Sequence, residues 1–521
     1  MIGQAAWQWR KVHTRVLAYA GSAGFISLWT ILRFFTQRTI FDLVGQQVLA
    51  QQLLHGGIAG AGVGITNYIP KLLFLYVPLH LLPGSPRLKL LLLTIVVNVA
   101  TLVLLGLVLE KILHIFAIKA GALLWVGLLW VGAIAGSVFW IQFTNSRNLE
   151  VVGGVFLLYQ GICYLERPSW RRLTVISLFT TILFFADTLQ VYMTATPLVL
   201  YGLTLATQKR AFRSIGLLMG GLVASYIGSK LVFAGCIWLF SIHFIQSGEG
   251  AALSVHSLAH GMVGSLKAFV HLYSGGADAG KLRELCNFVF LATIISLSAY
   301  AIWNRLLPRR LLMLVGYIVV INELVYIASG QAGIPSTERY LIMTAPALVL
   351  LLGGLQASWK TFRPIGLTII AIFISINGFF LTKSLATSSN GRFSQDAHLV
   401  SITRYIQHNP RTVVYASMDT AIPISYLYGS NTVVPLPLSC SKSYVVKDST
   451  FYSKPAYRTQ EGSAHTATAI ILDGSAITNV PSTCSQEAIT EQLGKPDTVT
   501  VSDDGSTILL YSANIGQKLH Y

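Results

Sequence analysis

Charged residues are scarce in this 521-residue chain, at 11% of the total, whereas soluble globular proteins usually carry about 25%. Hydrophobic residues make up 53% of the sequence. Long apolar runs occur at 90–109, 120–143 and 365–381. A helix needs roughly 20 apolar residues to cross the hydrocarbon core of a bilayer. Because a spanning segment must satisfy its own backbone hydrogen bonds, these runs predict membrane helices and exclude an ordinary soluble protein.

The sequence also lacks the common catalytic motifs. It contains no Walker loop, dinucleotide-binding glycine motif, Ser-His-Asp signature or zinc-protease motif. The histidines between 241 and 285 have no spacing that supplies three ligands for zinc, so no metal site is assigned. No small-residue cleavage site follows a short apolar core near the N-terminus, so the first span is expected to remain as an anchor.

Acidic residues are rare in the first 382 positions, which hold ten of them against 27 lysines and arginines. The remaining positions hold ten of each, so the net charge of +17 belongs to the apolar part. Sixteen of the basic residues, with only two acids, fall in 1–15, 110–119, 166–172, 208–213, 305–310 and 357–363. Short basic loops are typical of the cytoplasmic side of a membrane. Membrane topology therefore explains the charge, and no nucleic-acid partner is expected.

The pattern predicts a polytopic α-helical protein of the cell membrane, with the N-terminus in the cytoplasm and about eleven spans. The spans are expected near 16–35, 88–109, 120–142, 149–165, 173–191, 193–207, 214–240, 286–304, 311–329, 341–356 and 364–382. In this topology the segment 68–83, with three prolines, lies in the interface or re-enters the membrane. The alternative is that 68–83 spans, which would place the basic cluster at 167–172 outside.

Composition changes after residue 383, where polar residues become common. Short β-rich runs occur at 412–416, 432–434, 468–472, 498–501 and 508–511, with helical patterns at 394–408 and 485–493. We expect residues 1–382 to form the transmembrane domain and 383–521 a soluble, extracytoplasmic α/β domain. Cys440 and Cys484 lie in Ser-rich loops of this domain, and an oxidising location predicts a disulfide between them. Two free thiols are the alternative.

Six ionisable residues lie at the outer membrane edge in this topology: Asp42, Arg147, Glu150, Asp187, Glu338 and Arg339. Such residues are costly there and indicate a polar site. Asp42 is suited to act as a general base or to cap a helix, and Arg147 to hold an anion or to anchor at the interface. Glu150 suits a pocket or a helix start, and Arg339 suits a phosphate or a salt bridge to the preceding glutamate. Asp187 interrupts an apolar run, which predicts a partner or a water-filled cavity.

Two more ionisable residues fall inside predicted spans. Lys230 lies in the seventh span and Glu323 in the ninth, both in the outer half. An unpaired charge at that depth is expensive. We therefore interpret these two residues as a buried ion pair.

Four short motifs follow the same order as in the GT-C superfamily of membrane glycosyltransferases, which includes protein O-mannosyltransferases and aminoarabinose lipid A transferases. The chain resembles that family in an acid of the first outer loop, Asp42, followed by a proline-containing juxtamembrane helix, NYIPKL. SRNLE resembles the motif of the second outer loop and carries Arg147 and Glu150. ADTLQVY resembles a Ser-Asp-Pro-like motif at Asp187, and ERYL resembles an Arg-Tyr-Leu motif at Arg339.

This resemblance implies inverting transfer of a sugar from a polyprenyl-phosphate donor to a glycan, lipid or protein acceptor outside the cytoplasm. It implies Asp42 as the base and Arg339, with Arg147, as the phosphate-binding residues. Glu150 and Asp187 would line the substrate pocket. No cofactor is certain, and a divalent metal stays open. A membrane transporter or lipid flippase is the alternative, although the sequence has no repeated half.

Overall fold

The computed structural model describes most of the chain between residues 71 and 119, 148 and 241, 255 and 329, and 341 and 358. It also describes residues 19–31, the regular elements after residue 397, and short pieces between these ranges. The chain divides into two compact units. The first comprises Met1–Phe34, Leu93–Leu231 and Gly248–Ser384, and the second comprises Phe35–Leu92, Val232–Ser247 and Leu385–Tyr521.

Helices dominate the apolar part of the chain. They are α1 (19–31), α2 (Leu72–Tyr76 in π-helical form, then Val77–His80), α3 (Pro86–Ile115), α4 (Asn148–Glu166), α5 (Trp170–Ala186), α6 (Thr196–Lys209), α7 (Phe212–Phe240), α8 (Val255–Ser274), α9 (Lys281–Trp303), α10 (Arg309–Ala328) and α11 (Thr344–Ser358). Among the described helices, α3, α4, α7 and α10 are long and apolar enough to cross a membrane. Shorter apolar stretches lie in α8, α9 and α11. This composition agrees with a helical membrane protein.

The helices α1 and α3 run antiparallel in the first unit. Near the start of α1, the Tyr19 hydroxyl donates to Glu110 Oε2 over 3.1 Å, close to the end of α3. Further along α1, Asn98 Nδ2 donates to Thr30 Oγ1 over 3.0 Å. Residue numbers therefore rise in one helix as they fall in the other. The indole N–H of Trp125 donates to the other carboxylate oxygen, Glu110 Oε1, over 3.0 Å. The segment around Trp125 therefore packs against the same end of α3.

The helices α4 and α5 form an antiparallel hairpin joined by residues 167–169. The ring of Phe156 meets that of Phe179 edge-on, with centroids 5.1 Å apart. Gly153 lies against Leu183, since a Cβ on this glycine would be 2.8 Å from a Leu183 methyl carbon. The start of α4 and the end of α5 consequently lie at the same end of the hairpin.

The other end of this hairpin is tied to α10 and α11. Arg310 pairs with Glu166 over 3.3 Å, which joins the end of α4 to the start of α10. A Cβ on Gly353 would lie 2.6 Å from Leu113, and one on Gly354 would lie 3.0 Å from Leu311. The last turns of α11 therefore contact the end of α3 and the start of α10.

We call this end of the first unit the basic end. It carries the described basic residues of the short interhelical segments: Lys111, Lys119, Arg167, Arg171, Arg172, Lys209, Arg213, Arg305, Arg309 and Arg310. Sixteen residues separate Glu150 from Glu166 on α4, which corresponds to about 24 Å along an α-helix. The opposite end, with the start of α4 and the end of α5, is called the carboxylate end below.

The second unit contains the segment that follows α1. Its helix α2 covers nine residues from Leu72 to His80, about 14 Å at the usual rise, against roughly 30 Å of hydrocarbon. The short strands β1 (Gly62–Val63) and β2 (His243–Phe244) pair in parallel in the same unit. A helix of this length is too short to cross a bilayer by itself.

The second unit also contains a mixed six-stranded sheet. Its strands are β3 (Thr412–Ala416), β4 (Pro435–Cys440), β5 (Val445–Lys447), β6 (Ala467–Leu472), β7 (Thr498–Val501) and β8 (Thr507–Tyr511). Their order is β5-β4-β3-β6-β8-β7, with β3 parallel to both β4 and β6. The helices of this part are α12 (Ala397–His408), α13 (Met418–Tyr428) and α14 (Gln486–Leu493).

Alternation along β3 sends its side chains to two separate cores. Val413 and Tyr415 pack on one face with Ile489 and Leu493 of α14. Val414 and Ala416 pack on the other face, against α12 and α13. Since successive side chains of a strand point to opposite faces, one buried strand supports helices on both sides of the sheet.

Candidate functional site

The structure describes two of the predicted site residues, Glu150 and Asp187. Glu150 lies in the first turn of α4 with 4% of its surface exposed, and Asp187 follows directly after α5 with 3% exposed. Both lie at the carboxylate end of the α4–α5 hairpin. Asp42, Arg147, Arg339 and Cys484 are outside the described residues, as is the side chain of Cys440, whose backbone ends β4.

Asp187 ends α5. Its backbone is extended, with φ −154° and ψ 101°, while its N–H still bonds to the Leu183 carbonyl. The helix therefore stops five residues before the predicted end of the fifth span at 191. One carboxylate oxygen, Oδ1, accepts the backbone N–H of Leu189 at 3.1 Å, and Oδ2 accepts Gln190 Nε2 at 3.4 Å. The carboxylate thus turns back over its own loop and has a fixed direction.

Gln190 and Thr194 extend this contact into a buried chain of hydrogen bonds. The Thr194 hydroxyl donates to Gln190 Oε1 over 2.7 Å, and both residues are completely buried. With the amide oxygen facing the hydroxyl, the amide nitrogen faces the carboxylate, which gives each group a suitable partner. We call Thr194, Gln190 and Asp187 the relay.

The relay lies against α4 at Gly154. A Cβ on Gly154 would lie 2.5 Å from Gln190 Oε1 and 2.6 Å from Thr194 Oγ1, closer than real Cβ atoms come. Glycine at this position therefore leaves the space that the relay occupies. Glu150 precedes Gly154 by four residues, which puts both on one face of α4, one turn apart. The two predicted acids accordingly belong to one buried polar region.

The segment that follows Asp187 is wound as a π-helix from Val191 to Ala195 before α6 begins. Asn322 of α10 donates to the Met193 carbonyl over 3.1 Å and to the Ile318 carbonyl over 2.7 Å. The Thr196 hydroxyl donates to the Val191 carbonyl over 3.0 Å. Single π-helical turns are frequent at functional sites. The Val191 carbonyl also accepts the backbone N–H of Thr196, so the side chains add donors to this turn.

The expected ion pair between Lys230 and Glu323 is wrong. Glu323 accepts a hydrogen bond from the Ser265 hydroxyl of α8, whereas the Lys230 ammonium lies 5.3 Å from the ring centroid of Tyr226. Lys230 lies on an exposed face of α7. A serine on the amphipathic helix α8 therefore takes the role that sequence reasoning gave to the lysine.

The site offers oxygen acceptors held by amide and hydroxyl donors. Such a surface suits ligands that donate hydrogen bonds, above all hydroxyl groups. Among the described residues, no group of three or more His, Cys, Asp and Glu side chains is arranged to hold a metal ion.

Sequence reasoning missed Gly154, Gln190, Thr194 and Asn322. Gln190 and Asn322 could have been recognised from the sequence, because each is an amide side chain inside a run of apolar residues. Thr194 and Gly154 gave no such signal, since both residue types are frequent in membrane helices. Only the packing of α4 and α10 on the π-helical turn brings these four residues into one place.

Comparison of the chain with models of protein families and with curated proteins found no match.

Proposed function

We propose that this protein is an integral membrane glycosyltransferase that moves a sugar from a polyprenyl-phosphate donor to an extracytoplasmic acceptor hydroxyl. In this proposal about eleven helices cross the cell membrane and the N-terminus is cytoplasmic. Residues 383–521 form an α/β domain outside the cytoplasm. The acceptor belongs to a glycan, a lipid or a protein.

The gathering of basic residues at one end of the first unit supports this sidedness, because short basic segments stay in the cytoplasm. The composition of the second unit supports it as well. Phe35–Leu92, Val232–Ser247 and Leu385–Tyr521 share one compact unit. The proposed topology puts most of the first and third segments, and the end of the second, on the outer side. Segments that fold together must be on the same side of the membrane, apart from any part that crosses it.

One observation carries the proposal: Glu150 and Asp187, from different predicted motifs, are both buried at the end of the hairpin opposite the basic end. Buried acids in a membrane protein are costly and are usually paired or functional. If Asp187 served only to end α5, one hydrogen bond from a backbone N–H to its carboxylate would be sufficient. Asp187 has in addition the Gln190 amide, and this amide has its own hydroxyl donor and a glycine-lined space. These additional hydrogen bonds and the space beside them favour a substrate site.

The proposed reaction is a displacement at the anomeric carbon. The acceptor oxygen attacks that carbon from the face opposite the phosphate, and the bond from the carbon to the phosphate oxygen breaks. Asp42 takes the proton of the acceptor hydroxyl, and polyprenyl phosphate leaves with the bonding electron pair. Arg339, with Arg147, stabilises the negative charge that grows on the phosphate. Glu150 and Asp187 accept hydrogen bonds from hydroxyl groups of the sugar or acceptor.

A transporter or lipid flippase is the second candidate, because an irregular segment with a π-helical turn joins α5 to α6 at Asp187. Interrupted helices bind substrates in many transporters, usually near the bilayer midplane. The irregular segment here joins two helices at one end of the α4–α5 hairpin, with the acids beside it. That location favours a site open to one side of the membrane and therefore favours the transferase.

The test uses the full chain in proteoliposomes with a panel of undecaprenyl phosphates that carry different radiolabelled sugars. Glycosyl transfer releases undecaprenyl phosphate and moves the label to an acceptor in an added envelope extract. We expect release for at least one donor, and we expect Asp42→Asn to abolish it. The matched control is Asp497→Asn, an exposed aspartate beside β7 that has no role in the reaction. Movement of an intact donor between leaflets without bond cleavage would instead establish the flippase.

A further inference from the structure

The relay has a fixed direction along its whole length. Thr194 donates to the oxygen of the Gln190 amide, which leaves the amide nitrogen facing Asp187 Oδ2. The reversed amide would bring two acceptor oxygens together at Asp187 and lose that hydrogen bond. The Thr194 hydroxyl therefore decides which way the Gln190 amide points.

The relay also decides where the Asp187 carboxylate points. The carboxylate is held at both oxygens, by the Leu189 backbone N–H and by the Gln190 amide. The Leu189 donor belongs to the adjoining loop, whereas the Gln190 amide is a side chain that rotates unless Thr194 and the face of Gly154 hold it. Loss of either support frees the Gln190 amide to rotate, which removes one of the donors that orient the carboxylate.

We propose that Gln190 and Thr194 are positioning residues that aim the Asp187 carboxylate at hydroxyl groups of the transferred sugar. This inference rests on the proposed function and adds a substrate contact to it: the relay acts on the sugar portion of the donor and not on its phosphate. Catalysis depends strongly on such alignment, since a displacement of about 1 Å can cost about 100-fold in rate. The alternative is a purely structural role, in which the relay only closes the end of α5.

Three variants separate these roles. Thr194→Val keeps the shape of the side chain and removes the hydroxyl, whereas Thr194→Ser keeps the hydroxyl. Gly154→Ala places a methyl group against Gln190 Oε1 and pushes the amide away. The matched control is Gly216→Ala on α7, where a Cβ meets nothing within 4 Å.

Each variant is purified as the full chain, reconstituted, and assayed with the undecaprenyl-phosphate sugar that the wild-type protein uses best. We expect Thr194→Val and Gly154→Ala to lower kcat/KM at least tenfold, and Thr194→Ser to restore most of it. Binding of undecaprenyl phosphate without sugar should stay within twofold of wild type in all variants, as measured by native mass spectrometry. Gly216→Ala should match wild type in both assays.

The outcomes separate this inference from the function on which it rests. If wild-type protein transfers no sugar from any donor, the proposed function fails and this inference fails with it. If the wild type is active and Thr194→Val matches it, only the relay proposal is wrong. A structural role is established if Thr194→Val loses sugar transfer and undecaprenyl phosphate binding to the same extent, or if Thr194→Ser gives no recovery.

Discussion

The hydroxyl of Tyr426 donates a hydrogen bond to the backbone carbonyl of Pro86 over 3.1 Å, between residues 340 positions apart in the chain. Tyr426 lies on α13 beside the six-stranded sheet, and Pro86 begins α3. The ring of His80 meets Tyr426 edge-on at 5.9 Å, and His80 Nε2 lies 3.1 Å from Gln47 Oε1. These contacts join the segment after α1 to the C-terminal part of the second unit.

Removal of the Tyr426 side chain should loosen this junction. Burial raises the pKa of Tyr426, so the hydroxyl remains a donor at neutral pH. Tyr426→Phe removes one hydrogen bond, worth about 1 kcal/mol, whereas Tyr426→Ala also removes a buried ring, worth about 3–5 kcal/mol by analogy with other large aromatic residues. We expect faster amide hydrogen exchange across residues 71–92 in Tyr426→Ala, a smaller increase in Tyr426→Phe, and none in the control Val501→Ala. Equal exchange in all four proteins would contradict the junction.

Local sequence patterns predicted some of the strands of the six-stranded sheet correctly. Alternation of β-forming residues predicted 412–416 and 498–501, and β3 and β7 have those bounds. The predicted run at 432–434 lies outside the described residues, and the described strand β4 starts at Pro435 and carries a second proline at 437. Prolines argue against a strand because they lack a backbone donor. They are tolerated here since β5 pairs only with Leu438–Cys440, which leaves β4 with one neighbour at its prolines.

The candidate site was predictable only in its charged members. Glu150 and Asp187 were recognised because carboxylates are rare in apolar helices. The helix α13 was missed, since Pro423 stands inside it. Glu323 was assigned the wrong partner, because hydropathy gives the depth of a residue along a helix and not the neighbour that it faces. Partner choice depends on helix rotation and packing, which a single sequence does not contain.

The turn around Asp497 should weaken as the pH falls. The backbone N–H and then the hydroxyl of Ser512 donate to the Asp497 carboxylate and hold its pKa below the ordinary value. A lowered pKa in the folded state means that the stabilisation is present above the unfolded pKa, about 3.9, and is lost as the pH falls through the folded pKa. We expect protection of residues 507–513 against hydrogen exchange, relative to Asp497→Asn at the same pH, to be full above about pH 4 and to be lost as the pH falls further. A pH-independent difference between the two proteins would refute this assignment.

Gly106 should be essential for the packing of α3. A Cβ at this position would lie 2.2 Å from the Trp125 ring, so Gly106→Ala must displace the indole and break its 3.0 Å hydrogen bond to Glu110. Overpacking of this kind costs about 1–3 kcal/mol. We expect a lower midpoint of thermal aggregation in detergent for Gly106→Ala, and an unchanged or higher midpoint for Gly216→Ala, which meets no neighbour and favours the helix. Equal midpoints would show that Trp125 does not pack as described.

The antiparallel pairing of α1 and α3 yields a test of membrane sidedness. If both helices cross the bilayer, the pairs Tyr19–Glu110 and Thr30–Asn98 require them to cross in opposite directions, so the segment between them must begin and end on one side. The segment 68–83 then cannot span. We expect an alkaline phosphatase fused after Gly84 or Tyr521 to be active, and green fluorescent protein fused after Arg172 to fluoresce, because the first two sites are external and the third is cytoplasmic. Each site is also fused to the other reporter as its control. Phosphatase activity after Arg172 would reverse the topology and remove the outward-facing site from the proposed mechanism, because Asp187 lies at the opposite end of α5 from Arg172.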